Sequence, residues 1–343
     1  MSNLKELLLK KLHSKESNPT EPSENIVIID AMNLFHRNIS TNLSLDLNGN
    51  HIGGIVGTLN SLYSIIRKFK PSKIIICFEG DNSTDRRKSI FKYYKGNREG
   101  KGVCNRKVFF SEEESDESFN YQLLTLITIL QNFPVLLISQ EFLEADDTIG
   151  YIASKSSLKS KNLMIISNDG DYLQLVNDNV KVYNPMSKIL FNPVEIFNKY
   201  ELNHKNFLLY KTLIGDISDN IPNVKGIQLK TLLKMCPQIS TNEISHEEFY
   251  KFCEEKSKEK KSLKVYKEVS ENIELIELNK KLMNLSDFKL SNIEAMEIEE
   301  KLNQEISMDF KKCVTKCSKF QNHLFVSPMN FISEFSYLCN DGK

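Results

Sequence analysis

Short apolar runs that end in carboxylates set the strongest constraint on this chain. IVIID closes on Asp30, and KIIICF is followed by Glu79. PVLLIS runs up to EADD, with Glu144, Asp146 and Asp147, and LMIIS leads into SNDGD, with Asp169 and Asp171. Apolar runs bounded by turn residues read as strands buried on both faces of a parallel sheet. VKVYN, residues 180–184, is a fifth short strand. Between the strands, apolar residues recur at helical spacing from Leu34, from Ile55 to Phe69, from Phe119 to Gln131, and through EADDTIGYIASKS. Strands alternating with helices predict an α/β fold, a mainly parallel sheet flanked by helices. Ligands of such sheets gather beyond the carboxyl ends of the strands, so these acids are expected to converge. Clustered like charges resist ionising, and a shared cation relieves them. Oxygen-only donors select Mg²⁺ or Mn²⁺ over zinc. The expectation is a carboxylate-lined site for two ions about 3.5–4 Å apart, as in phosphodiester cleavage.

Composition excludes several other classes. With 343 residues and 40% hydrophobic content the chain can bury a sizeable core. No apolar run approaches the ~18 residues of a membrane helix. The amphipathic MSNLKELLLKKLHSKE lacks a secretory apolar core, and Glu6 and Glu16 interrupt its basic face, so a cytosolic protein is expected. The seven Cys are scattered, as in a reducing compartment. Cys77 reads as a small buried hydrophobe, and Cys313 and Cys317 have no paired His spacing that would make them a zinc site. Net charge is zero, yet thirteen Lys/Arg face four Asp/Glu between Arg67 and Lys107, and EEESDE follows at 112–117. That asymmetry suggests a mobile segment handling a polyanion, or a solvated charged surface. The interleaved Phe91, Tyr93 and Tyr94 favour nucleic acid.

Three regions follow. Residues 1–24 form an N-terminal arm, 25–199 an α/β core that includes the basic segment 80–118, and 200–343 a helical region. FLLYKTLIGDISDNIPNVKGIQLKTLLKMC (207–236) reads as helix, turn, helix, broken between Asn220 and Gly226. Beyond Ser240 the chain is Lys/Glu-rich and helical in pattern. FISEFSYL near residue 335 reads either as a docking peptide for a replication partner or as a helix packed on the core.

Each motif has a plainer alternative. In SNDGDYLQLV, Gly170 permits a tight turn that points Asp169 and Asp171 at one ion; the alternative is a surface turn closed by Asp side chains. EADD puts Glu144 and Asp147 about one helical turn apart with Asp146 between, and acids are also common in first helical turns. After Asp30, Asn33 and Arg37 fall on successive turns. GDISDNIPNVKGIQLKT offers backbone amides, Lys225, Gly226 and Lys230 to a duplex backbone, or is an ordinary helix corner. Asp219 in that motif is expected to reach back to the metal site. In DRRKSIFKYYKGNR, Lys95 and Arg98 would clamp the scissile phosphate, and Tyr94 would stack on a base. Arg86, Arg87, Lys88 and Lys92 would follow the strand. The alternative is a basic solvated helix.

Taken as an ordered set, IIDAMNLFHR, YYKGNR, EADD, SNDGDYLQL and GDISDNIPNVKGI resemble the flap endonuclease, or structure-specific 5′-nuclease, superfamily over about residues 25–235. Among its members the chain looks most similar to phage RNase H-type 5′-to-3′ exonucleases. The resemblance implies a PIN-like core, a helical arch over the active site, and a helix–three-turn–helix at 207–236 that binds duplex DNA, often with K⁺. It implies Asp30, Glu79, Glu144 and Asp146, with Asp147 beside them, as the first metal group. Asp169, Asp171, Asp216 and Asp219 form the second. Lys95 and Arg98 fall on the family's catalytic basic pair. Two positions depart from the pattern. Glu79 stands where the family usually has Asp, which bears on metal geometry, and Gln228 stands where the hairpin usually has a second Gly, which bears on duplex grip.

The expected activity is hydrolysis near the 5′ ends of branched, nicked or RNA–DNA hybrid duplexes, leaving 5′-phosphorylated pieces. The expected setting is primer removal in replication by a monomer in the cytoplasm, that of the host where the gene is phage-encoded, alongside replication proteins. Three alternatives stand beside it. A PIN-type ribonuclease for structured RNA would lack the hairpin. A non-catalytic structure-specific DNA-binding protein would fail to cleave a flap. A structural metal protein would melt on chelation without nuclease activity.

Overall fold

The computed structural model describes residues 25–98, 111–259, 262–287 and 289–339, with the backbone alone for Arg98 and Glu112. The expected arm at 1–24 and the middle of the basic segment lie outside the described residues. β1 (Asn25–Asp30) is central to a six-stranded sheet ordered β3-β2-β1-β4-β5-β6. β2 (Lys73–Phe78), β3 (Leu136–Ser139), β4 (Asn162–Ile166) and β5 (Val180–Asn184) run parallel to their neighbours. β6 (Ile189–Phe191) returns antiparallel to β5. The sequence pattern misses this strand because it has three residues and no alternation of its own.

Burial on both faces explains the unbroken apolar runs. Along β1, Val27 and Ile29 face one layer while Ile26 and Ile28 face the other. The first layer contains α1 (Ala31–Thr41), α2 (Gly53–Phe69) and α4 (Glu112–Leu130). Thus the acidic run 112–117, expected within a mobile segment, begins a helix instead. Ser111 caps it by accepting from Glu114 N. The second layer contains α5 (Ala145–Ser154), the 3₁₀ segment Gly170–Leu175, α6 (Pro193–Tyr200) and α12 (Asn292–Leu302).

α7 (Phe207–Ile214) and α8 (Leu229–Met235) form the helical hairpin, with α9 (His246–Ser257), α10 (Lys264–Glu271) and α11 (Ile273–Met283) completing a third apolar cluster around Leu213, Val224 and Leu232. α13 (Phe310–Ser318) and α14 (Pro328–Ser333) turn back onto the first layer. Phe331, Ile332 and Phe335 are wholly buried, and Phe331 stacks on Tyr63 with ring centroids 5.3 Å apart. FISEFSYL is therefore core, and the docking-peptide reading fails because its apolar side chains face inward. Cys313 and Cys317 are buried in the same layer.

Candidate active site

The strand order reverses at β1: β2 and β3 lie on one side, β4 and β5 on the other. The crevice between β1 and β4 is the topological switch point of the sheet. A cavity of about 550 Å³ opens there. Asp30, Glu79, Glu144, Asp146, Asp169, Asp171 and Asp219 all line it, with Lys95, His36 and Arg37.

Local structure aims these groups. Asp30 caps α1, accepting from Asn33 N at 3.0 Å, and the Tyr172 hydroxyl donates to its other oxygen at 3.0 Å. Asn33 Oδ1 in turn accepts from Asn168 N at 2.9 Å, tying the end of β1 to the end of β4. Asp169 caps the 3₁₀ segment by accepting from Asp171 N at 2.8 Å. Glu144 caps α5, and Asp147 completes the capping box by accepting from Glu144 N at 3.1 Å.

Two of the acidic clusters hold a cation of the chain itself. Arg87, on α3 (Asp85–Ile90), is only 3% exposed. Its guanidinium ion-pairs with Glu144 and donates to both oxygens of Asp147 at 2.7 and 2.8 Å, and its Nε donates to Leu282 O at 2.8 Å. Lys95 pairs with Glu144 from the opposite side. Lys211 bridges Asp171 at 2.6 Å and Asp216 at 3.1 Å. The sequence pattern misses Lys211, although a lone Lys within the apolar FLLYKTLI was the available signal.

These contacts correct several expectations. Arg87 is enclosed among carboxylates, so it is no surface cation for a nucleic acid strand. Tyr94 is 1% exposed, and its hydroxyl lies 2.9 Å from Glu144 and 3.2 Å from Asp219, so its ring is not open to a base. Asp147 does not line the cavity, since its oxygens are taken by Arg87 and the α5 cap. Asp216 does not line it either: Ser218 N and Oγ donate to one of its oxygens at 2.8 and 2.6 Å, and Lys211 holds the other. Arg86 pairs with Glu294 on α12 and ties the basic segment to that helix. Lys92, Lys225, Gly226 and Lys230 are exposed, and Lys88 is half-buried. Arg98 ends the 3₁₀ turn Gly96–Arg98, and the expected role of its side chain lies outside the described residues.

Burial and crowding oppose ionisation of the cavity acids. Burial pushes the Asp30 carboxyl up, and Glu79 adds to this. Burial likewise raises Asp146, with Asp147 and Glu144 contributing, and Asp169, though an exposed residue, is raised by desolvation at the cavity wall and by Asp30 and Asp219. Asp171 is pushed up to about 6 by burial and by Asp169. Glu144 differs. Burial works against its charge, but Arg87 and Lys95 outweigh that, and its carboxyl falls below the usual range.

The donor set fits a divalent cation. Glu144, Asp146 and Asp147 each bring an oxygen within 4.8 Å of the others, although Arg87 already occupies the Asp147 side. Asp146 Oδ1 is buried without a hydrogen bond, and its nearest cation, Arg87 Nη2, lies 3.4 Å away. Asp171 Oδ1 lies close to Lys211 but also lacks hydrogen-bond geometry. A buried carboxylate oxygen left without a donor, as Asp146 Oδ1 is, beside repelling neighbours, suits a hard oxygen-seeking ion.

The hairpin touches this site directly. Lys95 N donates to Asp219 O at 2.9 Å, Asn97 Nδ2 to Ile217 O at 2.7 Å, and Asn220 Nδ2 to Tyr93 O at 2.8 Å. Within the hairpin, Gly226 has φ +81°, the left-handed region that glycine tolerates. Gln228, at φ −134° and ψ 167°, is extended backbone that any residue adopts, so its side chain imposes no strain on the turn.

Comparison with known proteins agrees with this arrangement. The family of 5′-3′ exonuclease N-terminal, resolvase-like domains matches residues 25–201. A 5′-3′ exonuclease of Buchnera aphidicola subsp. Schizaphis graminum (strain Sg) is 32% identical over 224 residues, which is 65% of this chain and 73% of that protein. One from Buchnera aphidicola subsp. Acyrthosiphon pisum (strain APS) is 28% identical over 304 residues, 88% of this chain and 95% of that one. Among solved structures, a bacteriophage T5 flap endonuclease with DNA and metal ions aligns with a TM-score of 0.61 over 92% of this chain and 99% of that one, at 17% identity, a likeness of fold. Sheet order, strand-end acids and sequence relatives thus lead to one conclusion: the chain belongs to the 5′-3′ exonuclease family.

Proposed function

We propose that this nuclease cleaves a phosphodiester near the 5′ end of branched, nicked or RNA–DNA hybrid duplexes, using two Mg²⁺ or Mn²⁺ ions. The observation that carries the reading is the single cavity lined by acids from four neighbouring strand ends together with Lys95. Asp30, Glu79, Glu144 and Asp146 would hold one ion, and Asp169, Asp171 and Asp219 the other. Bound there, divalent ions would supply an activated water and polarise the phosphate. Lys95, held at the cavity wall by Glu144, would offset charge growing on the phosphate, and Arg98 would share that role. Asp30 would keep its orientation through Asn33 and Tyr172, so the donor geometry exists before substrate arrives.

Lys225, Gly226 and Lys230 would meet the duplex backbone, and K⁺ would fit the backbone carbonyls of the same turn. Hydrogen bonds from Asn97 and Asn220 would set the distance between that grip and the cavity. Products would carry 5′ phosphates, and primer removal during replication in the cytoplasm would be the natural role, whether the gene is bacterial or phage-borne. The test is a cleavage gel with a 5′-labelled flap, a nick and a primer hybrid, with Mg²⁺ at neutral pH. Cleavage of at least one is expected; three intact substrates would overturn the reading. Asp169→Asn should abolish cleavage while a gel shift still detects binding. Cleavage that survives this change refutes the metal assignment.

A further inference from the structure

Beside the acidic cavity lies one of opposite charge. It measures about 730 Å³ and is bounded by α1, α2 and the turn between β5 and β6, with Phe325 at its rim. Arg37, Lys68 and Lys188 line it, and no carboxylate does among the described residues. A further hollow of about 520 Å³ shares Lys68 and Phe325 with it and adds Arg67. Arg37 and Thr41 belong to the walls of both the acidic and the basic cavity, so the two adjoin through α1.

The charge here is uncompensated. Some lysines elsewhere rest on carboxylates, as Lys205 on Glu243 and Lys312 on Asp309. Among the described residues these four cations have no carboxylate partner. Neutral hydroxyls orient three of them instead: Arg37 donates to Ser61 Oγ at 3.1 Å, Lys68 Nζ to the Tyr183 hydroxyl at 2.9 Å, and Arg67 reaches the Tyr63 hydroxyl at 3.5 Å. A hydroxyl aims a cation without cancelling its charge. Cations grouped in a recess with low-dielectric walls concentrate anions. The recess also carries an apolar surface, since Phe325 is 65% exposed and Phe69 lies within the wall. Its volume falls in the roughly 300–1,000 Å³ span of small-ligand sites. Phosphate-binding cations beside an open aromatic face match a nucleotide: a charged phosphate joined to a flat base.

We propose that this basic cavity is a nucleoside-phosphate subsite, separate from the metal-binding cavity. Two sources share that chemistry: a nucleotide of the strand engaged in the acidic cavity, and a free nucleoside monophosphate after cleavage. The inference rests on the nuclease reading only for these sources.

The test uses the full chain in EDTA, so that no cleavage step enters. Deoxyadenosine 5′-monophosphate is titrated by calorimetry, and a fluorescent single-stranded trinucleotide by anisotropy. At least one probe should saturate. The double variant Lys68→Glu/Lys188→Glu should weaken that binding tenfold or more, and the gentler Lys68→Gln/Lys188→Gln should weaken it in part. Thermal melts check that both variants are folded. Asp169→Asn should bind as the parent does, which separates this subsite from the cleavage site. Saturation by the monophosphate marks a product site, and saturation by the trinucleotide alone marks a strand site. If neither probe saturates at millimolar concentration, or if folded charge-reversed protein binds equally well, the subsite does not exist.

Discussion

Replacing Arg87 by Met keeps the packing of the side-chain stem and removes the charge. The consequence follows from burial. Glu144 is 2% exposed and Asp147 1% exposed, and the Arg87 guanidinium contacts both. Breaking a buried ion pair from one side costs roughly 3–5 kcal/mol, because the remaining charge stays in place without compensation. Lys95 still covers Glu144, so the lower end applies. A loss of about 3 kcal/mol raises the unfolded fraction on the order of a hundredfold. Urea unfolding in EDTA at pH 7.5, read by circular dichroism, measures it.

The pH dependence separates electrostatics from packing. In the parent protein the lowered Glu144 carboxyl contributes stability that is present above the ordinary carboxylate range and lost as pH falls through its folded value. In Arg87→Met the orphaned carboxyls take up protons more readily when folded, so the variant gains stability as pH falls. The variant's proton uptake narrows the difference by pH 5, and the parent's own loss adds to it only below the ordinary carboxylate range. A deficit below about 1 kcal/mol at pH 7.5, or one that does not change with pH, refutes the idea that Arg87 is a buried countercharge.

Other consequences are measurable in the same samples. Lys95→Ala should lower kcat about 10²–10³-fold, with little change in melting because Arg87 still holds Glu144; single-turnover cleavage of a flap checks this. Burial and Asp169 raise Asp171 to about 6, so the folded state binds an extra proton between the ordinary carboxylate range and that value. Metal-free stability from this group therefore falls as pH rises through the window, while Mg²⁺ stabilisation grows, and melts with and without Mg²⁺ at pH 5 and 7.5 should show both trends. Gly226→Ala places a Cβ at φ +81°, costing about 1–2 kcal/mol, and should weaken duplex binding in a gel shift more than it slows cleavage at saturation.

The sheet was readable because strands buried on both faces leave continuous apolar runs, and IVIID, KIIICF and LMIIS have no competing reading at helical period. Three-residue β6 has no such mark, and its pairing with β5 depends on a turn whose geometry is tertiary. Helical spacing alone starts the 112–130 helix only at Phe119, because EEESDE is polar throughout. A cap at Ser111 and favourable first-turn acids start it earlier. The basic segment was misjudged for a different reason. A count of Lys and Arg carries no direction, and a three-dimensional partner such as Glu294 or Asp147 is far away in sequence.

The acids themselves show where pattern reasoning stops and where it stopped too soon. Consecutive helical residues point about 100° apart, so Asp146 and Asp147 leave the backbone in different directions even though their oxygens come within 4.8 Å of each other. Asp146 faces the cavity; Asp147 faces the capping box and Arg87. That much was available from EADD alone, once Glu144 was taken as the cap. Asp216 and Asp219 were not separable in that way. Asp216 pairs by backbone with Ile221 across the turn and is captured by Ser218 and Lys211, while Asp219, three residues on, meets Tyr94 and lines the cavity. Only the folded turn decides between them, and it is the same turn that Asn97 and Asn220 bond to the Lys95 segment. The side chain that points into the cavity with a bare oxygen is Asp146, whose Oδ1 has no hydrogen-bond donor. Arg87 and Lys211 also reach the cavity acids Glu144 and Asp171, but Asp147 and Asp216 are held by the chain's own groups and stay out of the cavity wall.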